Sequence, residues 1–301
     1  MTDERYGDEP YSMENLPPGH LRATLETLAV EIALEAGRLV RDERPRDLGV
    51  ADTKTSDTDV VTVMDRAAEQ LIRERLHETR PQDGILGEEG GGGQPGTSGV
   101  TWVVDPIDGT VNYLYELPVY AVSVAAVVGD ATVPGRWRPV AGAVVSPVVG
   151  EVYRAQLGGG AYLEAGGRTT RLASSAAYEL GKALVGTGFG YAPQRRAWQG
   201  EVLRQVLPAV RDIRRIGSAA LDLCCVAAGR MDAYWERGLN PWELAAGWLV
   251  CTEAGVVLGG PRPGDDPQTQ LTWASAPGVA EAFAALLSSA VAAAGVEESD
   301  G

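Results

Sequence analysis

Trp102-Val103-Val104-Asp105-Pro106-Ile107-Asp108-Gly109-Thr110 is the stretch from which this chain is best read. Its apolar, β-branched opening has the composition of a buried strand. It stops at two aspartates, a glycine and a threonine. Two other acidic clusters stand at similar places. Gly87-Glu88-Glu89-Gly90 closes the short apolar stretch Ile85-Leu86, and Asn240-Pro241-Trp242-Glu243-Leu244-Ala245-Ala246-Gly247 opens a helix. Three carboxylate clusters, each where a regular element starts or stops, suggest a site for hard divalent cations. Carboxylate and water oxygens are the ligands Mg²⁺ prefers, and it shares its shell with substrate phosphate. Asp105-Pro106-Ile107-Asp108 and Asn240-Pro241-Trp242-Glu243 also share the grammar of a helix start: N-cap, proline at N1, acid at N3. Capping can coexist with ligation, because a carboxylate has several lone pairs. A strand-to-helix junction offers backbone N–H groups that suit phosphate, Gly109 permits close backbone approach, and Thr110 adds a hydroxyl.

The composition narrows the field. At 301 residues, 45% hydrophobic and 22% charged, the chain can bury one large core or two packed subdomains. A formal charge of −15 argues against nucleic-acid or anionic-membrane partners, which need a basic face. It does not forbid an anionic substrate, since bound metals invert the local field. The three cysteines, Cys224, Cys225 and Cys251, form no CxxC and read as buried thiols. The two histidines, His20 and His77, lie in a polar leader and a charged run, which gives little support to a catalytic triad or a histidine-ligated zinc. No apolar segment follows the charged start Met1-Thr2-Asp3-Glu4-Arg5, and no stretch approaches a membrane span. The expectation is a cytoplasmic protein.

Along the chain, residues 1–18 read as a disordered leader. Leu21, Leu25, Leu28, Ile32 and Leu39 mark a helix running to about Arg44. A polar loop with Lys54 and Asp57 follows. Thr62-x-x-Asp65 then has the form of a capping box opening a second helix. The glycine-rich run from Gly90 to Gly99 reads as flexible. Strands are expected near 100–104, 120–128, 140–145, 150–156 and 160–164, in a partly antiparallel sheet. Further strands are expected at 182–186, 212–216, 232–236 and 255–258. They alternate with helices at 195–209, 218–229, 241–254 and 278–293. The chain thus divides into an α+β half at 19–175, an α/β half at 176–294 and a tail at 295–301.

GEE, WVVDPIDGT and WELAAG, the last followed by Glu253-Ala254-Gly255, together with Asp59-Val60-Val61-Thr62-x-x-Asp65 and Gly217-Ser218-Ala219-Ala220, resemble the inositol monophosphatase family of Mg²⁺-dependent, lithium-sensitive phosphatases. The resemblance spans about residues 21–290. It implies an α/β fold, a layered α-β-α-β-α sandwich, in a homodimer that binds two or three Mg²⁺ ions. Glu88, Asp105 and the Ile107 carbonyl would hold the first ion, and Asp105, Asp108 and Glu243 the second. Thr110, Asp65 and Glu88 would steer the attacking water, and the amides of Gly109 and Thr110 would receive phosphate. Glu236 and Gly217-Ser218-Ala219 would contact the hydroxyls of the substrate. Hydrolysis of inositol monophosphate is the implied reaction. Siblings acting on histidinol phosphate, fructose 1,6-bisphosphate or 3′-phosphoadenosine 5′-phosphate share the same metal motifs, and a non-catalytic metal- or inositol-phosphate-binding protein is the alternative of another class. Two departures stand out. Glu243 replaces the usual aspartate, moving its carboxylate outward by one methylene, and Tyr115 lies where the family often has a histidine. Trp102 and Trp242 read as packing residues, and Glu253 as a surface or helix-end acid.

Overall fold

The computed structural model describes residues 16–53, 60–90 and 93–295. Residues 1–15 of the leader, Lys54, Asp57 and Asp59 of the polar loop, and the tail from residue 296 lie outside the described residues.

Helix α1 (Gly19–Asp42) buries Leu25, Ala29, Ile32, Ala33, Ala36 and Val40, the spacing of one helical face. It stops two residues short of the expected Arg44: Glu43 closes it by donating its N–H to Leu39, and Pro45 follows. The loop after it carries a two-residue antiparallel pair, β1 (Asp52–Thr53) and β2 (Val60–Val61). Helix α2 (Val63–Thr79) opens with the expected capping box. The Thr62 side chain accepts from the Met64 N–H, and Asp65 accepts from the Thr62 N–H.

Seven strands then pair in chain order: β3 (Gly84–Gly87), β4 (Val100–Asp108), β5 (Ala121–Gly129), β6 (Trp137–Ser146), β7 (Glu151–Gln156), β8 (Gly160–Ala165) and β9 (Arg168–Arg171). Only β3 and β4 run parallel. The short helix α3 (Thr110–Leu114) links β4 to β5. A second sheet holds β10 (Leu184–Thr187), β11 (Asp212–Arg214), β12 (Ala233–Glu236), β13 (Val257–Gly259) and β14 (Thr272–Ser275) in the order β11-β10-β12-β14-β13. Helices α4 (Pro193–Val206), α5 (Ala219–Ala227), α6 (Pro241–Glu253) and α7 (Ala280–Ala294) complete the chain. Strands β1, β9 and β14 were not expected from the sequence. β1 has only two residues, and β9 is the exposed, polar Arg168-Thr169-Thr170-Arg171, which shows no apolar alternation.

The layers follow from the side chains. Along β4, Trp102 and Val104 point to a core shared with α1 and α2, and Val103 points to the opposite core. That opposite core contains α5 and α6, which are apolar on nearly every face because a sheet lies on either side of them. On the far side of the second sheet, Trp198 and Val202 of α4 pack with Phe283 and Leu287 of α7. The order is α1/α2, seven strands, α5/α6, five strands, α4/α7: the expected α-β-α-β-α sandwich.

Asp105-Pro106-Ile107-Asp108 is not a helix start. Pairing with β5 continues through Asp105 to Asp108 across a register shift, so the strand bulges here instead of ending. Gly109, at φ +100°, makes the turn, and the helix begins at Thr110. Glu253 has a structural task. Its carboxylate accepts from the Gly158 and Gly160 N–H groups at 2.8 and 2.7 Å and holds the β7–β8 turn.

Candidate active site

A cleft of about 530 Å³ opens where β4, α3, the start of α5 and the start of α6 meet. Glu88, Asp105, Ile107, Asp108, Gly109, Thr110, Gly217, Ser218, Ala219, Glu236 and Glu243 all line it. Asp65 stands behind this lining, fully buried, and reaches it through Thr110: the Thr110 hydroxyl lies 3.1 Å from Asp65 Oδ1. The same hydroxyl lies 3.1 Å from the Ile107 carbonyl, so its single proton serves one acceptor at a time.

Each acidic group is held by local chemistry. Glu88 follows β3, and its turn is fastened to α2. Glu69 accepts from the Glu89 N–H at 2.8 Å and pairs with Arg73 at 2.8 Å. Gly87 and Gly90 leave room for this pair: a Cβ on the first would stand 2.6 Å from the Glu69 carboxylate and one on the second would overlap Arg73, so either would push these side chains aside. Asp105 Oδ1 accepts from the Ile107 N–H at 3.0 Å, within the bulge. Asp108 Oδ2 accepts from the Ser218 hydroxyl at 2.6 Å and the Ala220 N–H at 2.7 Å, which ties β4 to the first turn of α5. Asn112 of α3 makes a parallel tie, donating to the carbonyls of Val119 and Ile216. Glu243 does complete a capping box, and its Oε2 accepts from the Asn240 N–H at 2.7 Å. The cap at Glu243 employs Oε2 alone and leaves the other oxygen for the cleft.

The electrostatics of the cleft suit a bound cation. Burial, then Glu88, Asp108 and Glu243, push the Asp105 carboxyl well above the ordinary range. Burial and then Asp108 do the same to Glu243, against the pull of its Asn240 hydrogen bond. Asp108 rises to about 6: burial outweighs its bonds to Ser218, Ala220 and Ala219 and the nearby Arg215. Buried carboxylates that repel one another are what a dication reverses. All the donors are hard oxygens, the set Mg²⁺ takes. Among the described residues no three acidic, histidine or cysteine side chains already surround one point. An open, partly water-filled site is what Mg²⁺ accepts and a closed cage is not needed.

Glu236, at the end of β12, sits across the cleft and accepts from the Tyr234 hydroxyl. Burial raises its carboxyl from an ordinary 4.5 to about 7. The folded protein therefore keeps a proton that the unfolded chain releases, and it loses stability as pH climbs from about 4.5 to about 7. That interval corresponds to roughly 3 kcal/mol. Glu236→Gln, melted without metal, should gain stability over the parent between pH 5 and pH 8. A difference in Tm that does not change with pH would refute it.

Other groups fall where their types suggest. His20 and His77 are exposed and away from the cleft. Cys224 and Cys251 are buried as expected, Cys225 is only half-buried because it lies towards the edge of the core, and all three are free. Trp102 is buried with its indole N–H on Asp83, whereas Trp242 lines the cleft. Sequence reasoning missed Asp222, Arg195, Arg215 and Arg237, which line the cleft with Glu236. Asp222 carried a signal, an acid inside the apolar run Ala219-Ala220-Leu221-Asp222-Leu223-Cys224; the arginines carried none.

The model of the inositol monophosphatase family matches residues 21–294. The chain belongs to the inositol monophosphatase family. The inositol-1-monophosphatase SuhB of Mycobacterium tuberculosis (strain H37Rv) is 46% identical over 285 residues, covering 90% of this chain and 95% of the relative. The solved structure of Mycobacterium tuberculosis SuhB superimposes with a TM-score of 0.73 at 45% identity, covering 89% of this chain and 97% of that one. The extragenic suppressor protein suhB of Bartonella henselae gives a TM-score of 0.77 at 34% identity, covering 88% and 98%. As a member of this family the chain is a metal-dependent phosphoric monoester hydrolase. Among the described residues no helix is long and apolar enough to cross a membrane.

Proposed function

We propose that this protein hydrolyses inositol monophosphate to inositol and phosphate by direct attack of water, with Mg²⁺ in the carboxylate cleft. The observation that carries the reading is the convergence of Glu88, Asp105, Asp108, Thr110 and Glu243 on one cleft, with Glu236 facing them. Glu88, Asp105 and the Ile107 carbonyl would hold one ion, and Asp105, Asp108 and Glu243 a second. When bound, Mg²⁺ supplies acidification of water and neutralises charge on phosphate and on the leaving alkoxide. The remaining work belongs to the protein. Thr110, with its proton given to Asp65, turns its oxygen lone pairs to accept from a water in the cleft. That orients the water, and Glu88 is placed to take up its proton. The amides of Gly109 and Thr110 receive the phosphate. Gly217-Ser218-Ala219 and Glu236 position the alcohol. Among the described residues no cysteine or histidine lines the cleft, and the Ser218 hydroxyl is engaged with Asp108, one of the acids that would hold the metal, so the reading needs no covalent intermediate.

The family likeness further supports inhibition by Li⁺, a homodimer, a cytoplasmic setting and a division into halves at about residue 175. Glu243, one methylene longer than the family's usual aspartate, should alter the Mg²⁺ and Li⁺ response more than it alters the chemistry.

Phosphate release from inositol 1-phosphate, histidinol phosphate, fructose 1,6-bisphosphate and 3′-phosphoadenosine 5′-phosphate tests the reading. Preference for the inositol ester, abolished by EDTA and restored by Mg²⁺, is the expected result. Preference for another ester would keep the mechanism and change the substrate. Metal binding without turnover of any ester would favour the non-catalytic binding protein, with Glu243 the suspect residue.

A further inference from the structure

Asp222 has no part in the reaction as described, yet its placement is costly. It is 1% exposed, it lines the cleft, and its Oδ1 has no hydrogen-bond partner among the described residues. An acid in the first turn of α5 complements the helix dipole, but an exposed one would do so without desolvation.

Strand β10 shows how room was made for it. Gly186, in β10, and Gly188, just past its end, are two residues apart and present the same face. A Cβ on Gly186 would stand 2.9 Å from the Met231 methyl and 3.0 Å from Asp222 Oδ1, and a Cβ on Gly188 would overlap the Glu236 carboxylate. Glu236 thus fills the space beside Gly188, and Asp222 shares the space beside Gly186 with Met231. The Tyr234 hydroxyl fixes Glu236 from below. Arg215 attracts both carboxyls, while Glu236 and Asp108 repel Asp222.

We propose that Asp222 and Glu236 form a two-carboxylate cradle for two hydroxyls of the leaving alcohol, with Asp222 a specificity-determining residue for polyol monoesters. A hydroxyl brings a donor to a buried acceptor that otherwise has none. A pocket built on such bonds rejects alcohols that lack the hydroxyl. The proposal rests on the phosphomonoesterase reading of the cleft and assigns it a second recognition group.

The test uses the full-length, Mg²⁺-loaded enzyme with two esters, inositol 1-phosphate and p-nitrophenyl phosphate, which has no hydroxyl to offer. Asp222→Ala should raise KM for the inositol ester by about 10-fold or more, with kcat little changed, and leave both constants for the aryl ester unaltered. Asp222→Asn keeps an acceptor and should recover most of the loss. Free inositol should weaken as a product inhibitor in the alanine variant alone. Equal losses on both esters, or an unchanged KM for the inositol ester in a variant that melts like the parent, would overturn the cradle. If the parent enzyme turns over neither ester, the phosphatase reading itself fails, a result distinct from either.

Discussion

Asp108→Asn should abolish Mg²⁺-dependent phosphate release without unfolding the protein. The loss should exceed about 100-fold, the upper figure for groups that merely support a metal ligand, because on the proposed reading a ligand charge is removed. The fold should survive for a geometric reason. Asp108 Oδ2 accepts from Ser218 and Ala220, and an amide oxygen can accept the same two bonds. The variant also removes one of several buried like charges. In metal-free buffer its Tm should therefore equal or exceed the parent's at neutral pH. The rise in Tm on adding Mg²⁺, which the parent should show, ought to shrink or vanish. Turnover within a few-fold of the parent would remove Asp108 from the metal site.

Thr110→Val separates water steering from metal binding. Valine has nearly the shape of threonine, but it can neither donate to Asp65 nor accept from water. Loss of a positioned proton-handling group costs about 10²–10⁴ in rate, and kcat should fall by that much while the Mg²⁺ dependence and KM stay near the parent's. Asp65→Ala is the informative comparison, since Asp65 holds Thr110 with one oxygen and caps α2 with the other. It should lose the same rate and also about 1 kcal/mol of stability. If Thr110→Val kept full kcat, the hydroxyl would have no role in placing water.

Much of this is legible in the sequence. The α1 stripe and the β-branched runs of the first sheet announced themselves because burial imposes a period of 3.6 or 2 on long elements. Short strands such as Thr272–Ser275 did not. That strand is held by pairing with β12 on one side and β13 on the other, which no local pattern announces. The acidic motifs of the site were readable, but their backbone was only half so. Asn240 and Glu243 do cap a helix, whereas the same pattern at Asp105 and Asp108 lies in a bulged strand, because pairing with β5 prevails over local capping. Arg195, Arg215 and Arg237 were illegible for another reason. Arginine is common at surfaces, and only the fold shows which ones face the cleft.

The acids of the cleft come from distant parts of the chain. Asp105 and Asp108 lie on a strand of the first sheet, and Glu243 lies on the helix packed between the sheets. Ions seated among them would act as rivets through two layers, so mineral supply and lifespan of the protein become linked. A copy starved of magnesium keeps its repulsion, opens more often and offers more cut sites to proteases. The amount of this enzyme in a cell should then follow the free magnesium level even where its synthesis does not change.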